Sequence, residues 1–341
     1  MKTNLLFKVS QRKFEWLLFI VAFLFFIVGT IFGIYLNKNS EEAPASRHMG
    51  RTTFTNPLID QTGINESQRS YAPLKKQLEK EIAGFLDRAS VYQLSVYFQD
   101  LETNKWLGIN ETERYAPASL MKVTLLVAYL KLTESNPNFL EEIVLNDGSY
   151  IEEANVPPSQ RLAINREYTI SELLYQMIVH SNNEAQSLLS DHLDKRVTPE
   201  TRARLVEETM ALIPASYELG DFYELTAVDY AGIFRILYNA TYLSESLSER
   251  ALALLAESSF DSGIVNGLPK DIVTANKFGF KNDSNYVDKM QFHDCGIIYA
   301  EPNPYILCIM TKTNDPAAAQ EAVSSISKTV YQAVSKQSPE N

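Results

Sequence analysis

Apolar and polar positions alternate with different periods along this chain, and the period changes mark its elements. From Trp16 to Leu36 there is no alternation: 21 residues carry no charge, and Phe, Ile and Leu occupy every helical face. A run of that length spans roughly 30 Å as a helix, the thickness of a bilayer core. Residues 37–72 show no sustained apolar period and are rich in Asn, Ser, Glu, Thr and Gly, as a linker would be. A helix is predicted from Pro73 to about Asp87, with Leu74, Leu78, Ile82 and Phe85 on one face. Leu94, Val96 and Phe98 then alternate with Ser95, Tyr97 and Gln99, which predicts a half-buried strand. A turn over Asp100–Lys105 leads to a second strand at Trp106–Ile109.

From Ser119 to Leu130 the pattern is apolar almost all round, with Lys122 the one charge, and one buried helix is predicted there. Thr169-Ile170-Ser171-Glu172 reads as a capping box that opens a helix ending near His180. Ser181-Asn182-Asn183 interrupts, and a helix resumes over Glu184–Leu193. Further helices are predicted at 226–240 and 246–257, and strands at 272–280, 289–300 and 305–312. Glu301-Pro302-Asn303-Pro304 turns the last two strands into a hairpin. Asp315-Pro316 opens a final helix that places Val323, Ile326, Val330 and Val334 inward. The order implies an α+β fold in three layers. Terminal strand groups join in one antiparallel sheet, the first and last helices cover one face, and the middle helices form a separate lobe.

Charge changes the picture at the N-terminus. The first 40 residues hold Lys2, Lys8, Arg12, Lys13 and Lys38 against one acid, Glu15, while the whole chain carries −11. Basic residues before the apolar run leave a cytoplasmic tail at 1–15 and put the rest on the extracytoplasmic side of a cell membrane. An uncleaved anchor at 16–36 is expected over a signal peptide. The run is long, and the nearest small-residue site, Ala43-Pro44-Ala45, lies seven residues beyond it. The acidic body excludes nucleic acid as a partner class. Two cysteines and four scattered histidines show no metal-ligand spacing, so no metal or cofactor is expected. Cys295 and Cys308 lie on adjacent predicted strands and are expected to be two buried thiols. His293 and Asp294 are expected to make structural hydrogen bonds.

Three short motifs carry candidate chemistry. In Ser119-Leu120-Met121-Lys122 the serine and lysine share a helical face. Burial disfavours a charged lysine and leaves an amine that accepts a proton, which an unactivated serine needs. Alone, the tetrapeptide equally describes a capping serine and a snorkelling lysine. Ser181-Asn182-Asn183 alone is also an ordinary helix junction. Lys277-Phe278-Gly279 offers a cation for an anionic substrate and a glycine for close approach, and it also suits a protected edge strand.

Together, and in this order, the motifs give the chain a resemblance to the serine penicillin-recognising family, most closely its class A β-lactamase branch. That family has S-x-x-K, S-D-N and K-T-G or K-S-G; this chain has SLMK, SNN and KFG. The resemblance extends to YAPASLMKVTLLVAYLK, HSNNEAQSLL and HDCGIIYA, and covers about residues 73–335. It implies that Ser119 is the acylated nucleophile and Lys122 its base. Ser181 would shuttle a proton and support Lys277. Asn183 would orient Lys122 and the substrate amide, and Lys277 would attract a substrate carboxylate. Gly279 would admit the substrate, and the amides of Ser119 and Phe280 would bind the oxyanion. The substrate would be a β-lactam or a peptidoglycan-type peptide. Three departures stand out. Asn182 replaces Asp, Phe278 replaces the hydroxyl residue, and no E-x-x-L-N segment is clear. Glu218, or else Glu224, would then activate the deacylating water. Two rivals remain: a D,D-carboxypeptidase-like penicillin-binding protein, and an inactive sensor domain on an anchor. A lipase-type esterase is disfavoured because G-x-S-x-G is absent.

Overall fold

The structure, a computed structural model, describes residues 71–150, 161–212, 224–282 and 290–336. All lie in the second of two units into which the chain divides, Gly50–Asn341. The apolar run 16–36, the linker up to residue 70, Glu218 and nearly all of the tail from 336 lie outside the described residues. Among the described residues no helix is long and apolar enough to cross a membrane.

Pro73 sits in the first turn of α1, Ala72–Leu86, which buries Leu74, Leu78, Ile82 and Phe85 as its period requires. Strands β1 (Val91–Asp100) and β2 (Trp106–Ile109) form the first hairpin. Strands β7 (Thr274–Lys281), β8 (Met290–Ile298) and β9 (Tyr305–Thr313) come from the other end of the chain. They join the first pair in one antiparallel sheet of order β2-β1-β9-β8-β7, so β7 is an edge strand. The last helix, α8 (Pro316–Ser335), is capped by Asp315, which accepts from the amides of Ala317 and Ala318. With α1 it covers one face of the sheet, and the buried Leu78, Leu94, Phe98, Ile309, Val323 and Ile326 form that layer.

The other face carries the helical lobe. It comprises α2 (Lys122–Thr133), α3 (Ile170–Val179), α4 (Asn183–Arg196), α5 (Pro199–Ala211), α6 (Ala227–Tyr238) and α7 (Glu245–Ala256). The capping box is present at α3: the Glu172 amide donates to the Thr169 hydroxyl, and the Glu172 carboxylate accepts from the Thr169 amide. Two short ribbons escape the sequence pattern, β3 (Arg114–Tyr115) with β6 (Leu225–Thr226), and β4 (Ile143–Asn146) with β5 (Arg166–Thr169). They are too short to show a period.

Two expectations are corrected. The helix expected from Ser119 is not continuous: Ala118–Met121 is a 3-10 turn, and the α-helix begins at Lys122. The two cysteines are not free thiols. Cys295 and Cys308 pair directly across β8 and β9 with a Cα–Cα distance of 4.0 Å, and they form a disulfide. The alternation of each strand gave their face but not the register that puts them opposite each other.

Candidate active site

Ser119 sits half-buried in the 3-10 turn, one turn before Lys122 at the start of α2. The turn is held from several sides. The Ala116 amide donates to the Gln291 side chain at 2.9 Å, and the Ala116 carbonyl lies 2.9 Å from Nε2 of His293. Nδ1 of His293 accepts from the Thr311 amide, so Nε2 carries the proton and donates. Tyr230, fully buried, donates to the Leu120 carbonyl at 2.8 Å. The residue before the serine, Ala118, is held at φ 49°, in the left-handed region where a side chain is strained.

Gly279 on β7 completes the clamp. A Cβ there would stand 2.8 Å from the Pro117 carbonyl oxygen and 3.0 Å from Leu120 Cγ. The glycine therefore lets the strand press onto the serine turn. Gly279→Ala is expected to destabilise the fold by about 1–3 kcal/mol and to slow acylation, because the turn must shift to admit the methyl group. Thermal melting read beside acylation rate tests this.

The second motif faces the first. Lys122 is fully buried, and its Nζ stands 2.6 Å from Oδ1 of Asn183, 3.3 Å from Ser181 Oγ and within hydrogen-bond reach of the Ser181 carbonyl. Ser181 itself adopts φ 54°, so the break between α3 and α4 is a forced left-handed step that turns both its oxygens toward Lys122. Asn182 is buried and caps α4 by accepting from the Ala185 amide at 2.7 Å. Asn and Asp are interchangeable in that role, which accounts for the departure from S-D-N.

Lys277, also fully buried, donates to the same Ser181 hydroxyl at 2.9 Å. Burial first, and then the nearby charge of Lys122, hold its pKa well below the ordinary lysine range. Along β7 the Tyr299 amide donates to the Val273 carbonyl, and the register continues without a shift. Hydrogen-bonded pairs therefore fall at 273, 275, 277 and 279. The amides and carbonyls of Asn276, Phe278 and Phe280 point away from β8, toward the free edge. That strand lies against the serine turn at Gly279.

Phe278 pairs with Asp294 across β7 and β8 and packs against the layer under the outer helices. Its ring stacks on Phe260 with centroids 4.0 Å apart, and the Lys277 ammonium stands 4.2 Å from its centre. Sequence reasoning missed Phe260, Gln291 and Tyr230, whose partners are distant in the chain and carry no local signal. Glu224 is described, half-buried just before β6, and no contact links it to the serine.

Asp294 lies beneath β7 on the opposite face from Lys277. It accepts from the Asn276 side chain at 2.9 Å and from the Ile264 amide at 2.8 Å. Burial raises its pKa to about 6, and burial lowers that of His293 to about 4. The two act oppositely on stability. Asp294 prefers its proton in the folded state, so stability falls as pH rises from 3.8 to about 6. His293 resists its proton in the folded state, so stability falls as pH drops from 6.5 to about 4. Each contributes about 3 kcal/mol, and they offset each other. Asp294→Asn is expected to expose the histidine effect, with stability rising by about 3 kcal/mol between pH 4 and 6.5 in denaturant titrations.

A model described as the Beta-lactamase enzyme family matches residues 75–334. The chain belongs to the β-lactamase enzyme family. The β-lactamase-like fold is shared with solved structures at low identity. PBP-A is 21% identical, with a TM-score of 0.62 over 84% of this chain and 100% of that one. A PBP-A variant captured as an acyl-enzyme with penicillin G is 22% identical, with a TM-score of 0.62 over 76% and 97%. A class A β-lactamase from Mycobacterium abscessus is 19% identical, with a TM-score of 0.64 over 76% and 99%. No curated protein sequence matches the chain. Among the described residues no cluster of three His, Cys, Asp or Glu side chains is placed to hold a metal ion.

Proposed function

We propose that the chain is a membrane-anchored serine hydrolase that forms an acyl-enzyme at Ser119 with a β-lactam or a related cell-wall peptide amide. The observation that carries the reading is the buried Lys122, bonded to Asn183 and Ser181 one turn from the serine. A lysine so enclosed has no solvent-exposed role, and along the chain it follows Ser119 by one turn.

Ser119 Oγ attacks the carbonyl carbon while its proton passes to Lys122. The developing oxyanion sits between the Ser119 and Phe280 amides. Ser181, bridging Lys122 and Lys277, hands a proton to the departing nitrogen. Water or an amine then resolves the ester. Glu218 is the acid proposed to activate that water, with Glu224 as the second candidate. The run 16–36 anchors the chain, and the catalytic unit stands outside the cytoplasm. A disulfide between Cys295 and Cys308 supports that side, because such bonds persist in oxidising compartments.

A penicillin-binding peptidase is the second reading. It rests on the lack of an E-x-x-L-N segment after Ser181-Asn182-Asn183, without which an acyl-enzyme persists; the one match, Glu142-Ile143-Val144-Leu145-Asn146, precedes that motif and runs into β4. Adduct lifetime on the full chain in detergent separates the two. Loss of the penicillin adduct with turnover marks a β-lactamase, and an adduct that outlasts the free drug marks a peptidase. If protease added outside intact cells spares residues 73–335, the proposed topology fails.

A further inference from the structure

Glu184 stands in the first turn of α4, one residue after Asn183, and no catalytic step uses it. Its side chain is buried, and its Oε1 accepts from the Asn146 side chain at 2.7 Å, across 38 positions of sequence. A carboxylate is seldom buried without such a bond, because its desolvation is costly. Asn146 ends β4 and is fully buried. Both ends of its amide are used: Nδ2 also donates to the Ala163 carbonyl at 3.3 Å, and Oδ1 accepts from the Gly148 amide at 3.1 Å. Its backbone carbonyl accepts from the Asn165 amide at 2.7 Å. The bond to Glu184 therefore joins the turn that leaves β4 to the start of α4.

Each side of this joint carries part of one cavity wall. Asn183, whose Oδ1 lies 2.6 Å from Lys122 Nζ, lines a cavity of about 410 Å³ together with Gln186, Ser187 and Tyr150. Tyr150 follows Gly148 by two residues, and Gly148 takes φ 83°, a left-handed step that sets the course of the turn. We propose that Glu184 is a positioning residue. Through Asn146 it holds the turn bearing Tyr150 against Asn183, and so shapes the cavity that receives the acyl arm of the substrate. Asn183 is the residue that would orient the substrate amide, and the arm extends from that amide. This rests on the reading of Ser119 as nucleophile and adds a determinant of which acyl arms are accepted.

Penicillin G and 6-aminopenicillanic acid test it on the full chain in detergent. Both react alike: Ser119 Oγ bonds to the lactam carbonyl carbon, the lactam C–N bond breaks, and the serine proton ends on the ring nitrogen. Only penicillin G carries an amide-linked acyl arm. The ratio of their acylation rates is expected to favour penicillin G in the parent and to fall roughly tenfold in Glu184→Ala. Asn146→Ala removes the same bond from its other side and is expected to lower the ratio at least as much. The double variant is expected to lower it no further than Asn146→Ala alone. Glu184→Gln keeps an acceptor for Asn146 and is expected to retain most of the parent ratio. General loosening of the fold slows both compounds together, so an unchanged ratio in Glu184→Ala overturns the inference and leaves Ser119 in its role. A parent ratio near one, additive losses in the double variant, or a loss in Glu184→Gln as large as in Glu184→Ala also overturns it. No adduct from either compound on the parent overturns the nucleophile reading as well. Glu184→Ala and Asn146→Ala remove one bond independently, so misfolding of either leaves the other to decide, and the parent ratio needs no variant.

Discussion

Ser119→Ala is expected to abolish the covalent step, with acylation falling by on the order of 10³-fold or more. The expectation follows from how much of the fold converges on one hydroxyl. Gln291 and His293 hold both backbone groups of Ala116, Tyr230 holds the Leu120 carbonyl, and Gly279 presses from β7. Ala118 is strained in between. Removing one oxygen from that turn disturbs none of these contacts. The variant should therefore melt near the parent temperature while forming no adduct, which rapid-quench mass measurement reads directly.

Lys122→Met is expected to slow acylation by roughly 10²–10⁴-fold, the usual contribution of a positioned base. Methionine fills nearly the same buried volume without a charge. It leaves Asn183 Oδ1 and Ser181 Oγ without that donor, at a cost of about 1–3 kcal/mol in stability. Lys122→Arg separates the possible roles. A guanidinium keeps the charge and the donors but cannot release its proton at working pH, so a base is not rescued and a mere electrostatic prop is. Acylation rates of all three chains against pH decide between them.

The sequence made much of this site legible because its motifs are local. Ser119 and Lys122 are one turn apart, and Ser181 with Asn183 flank one helix start, so spacing alone groups each pair. The outer layer was legible for the same reason. Period 3.6 in Leu74, Leu78, Ile82 and Phe85, and in Val323, Ile326, Val330 and Val334, identified the buried faces. What escaped depends on register and on long-range contact. The Cys295–Cys308 pairing needed the β8–β9 register, and the 3-10 break before Lys122 needed the clamp on Ala116. The surroundings of Phe278 needed Phe260, which lies 18 positions earlier in a stretch without period. The Asp294–Asn276 bond likewise joins two strands whose sequences say nothing of each other.

The central claim is that Ser119 is the acylated residue. Its most direct test is the intact mass, followed by peptide mapping, of the full chain after brief mixing with penicillin G or with phenylacetylglycyl phenyl ester, beside Ser119→Ala. The account predicts one added acyl group on the parent, mapped to the peptide that holds Ser119, and none on the variant. An adduct of the same size on Ser119→Ala, or an adduct mapped to any other residue, would contradict it.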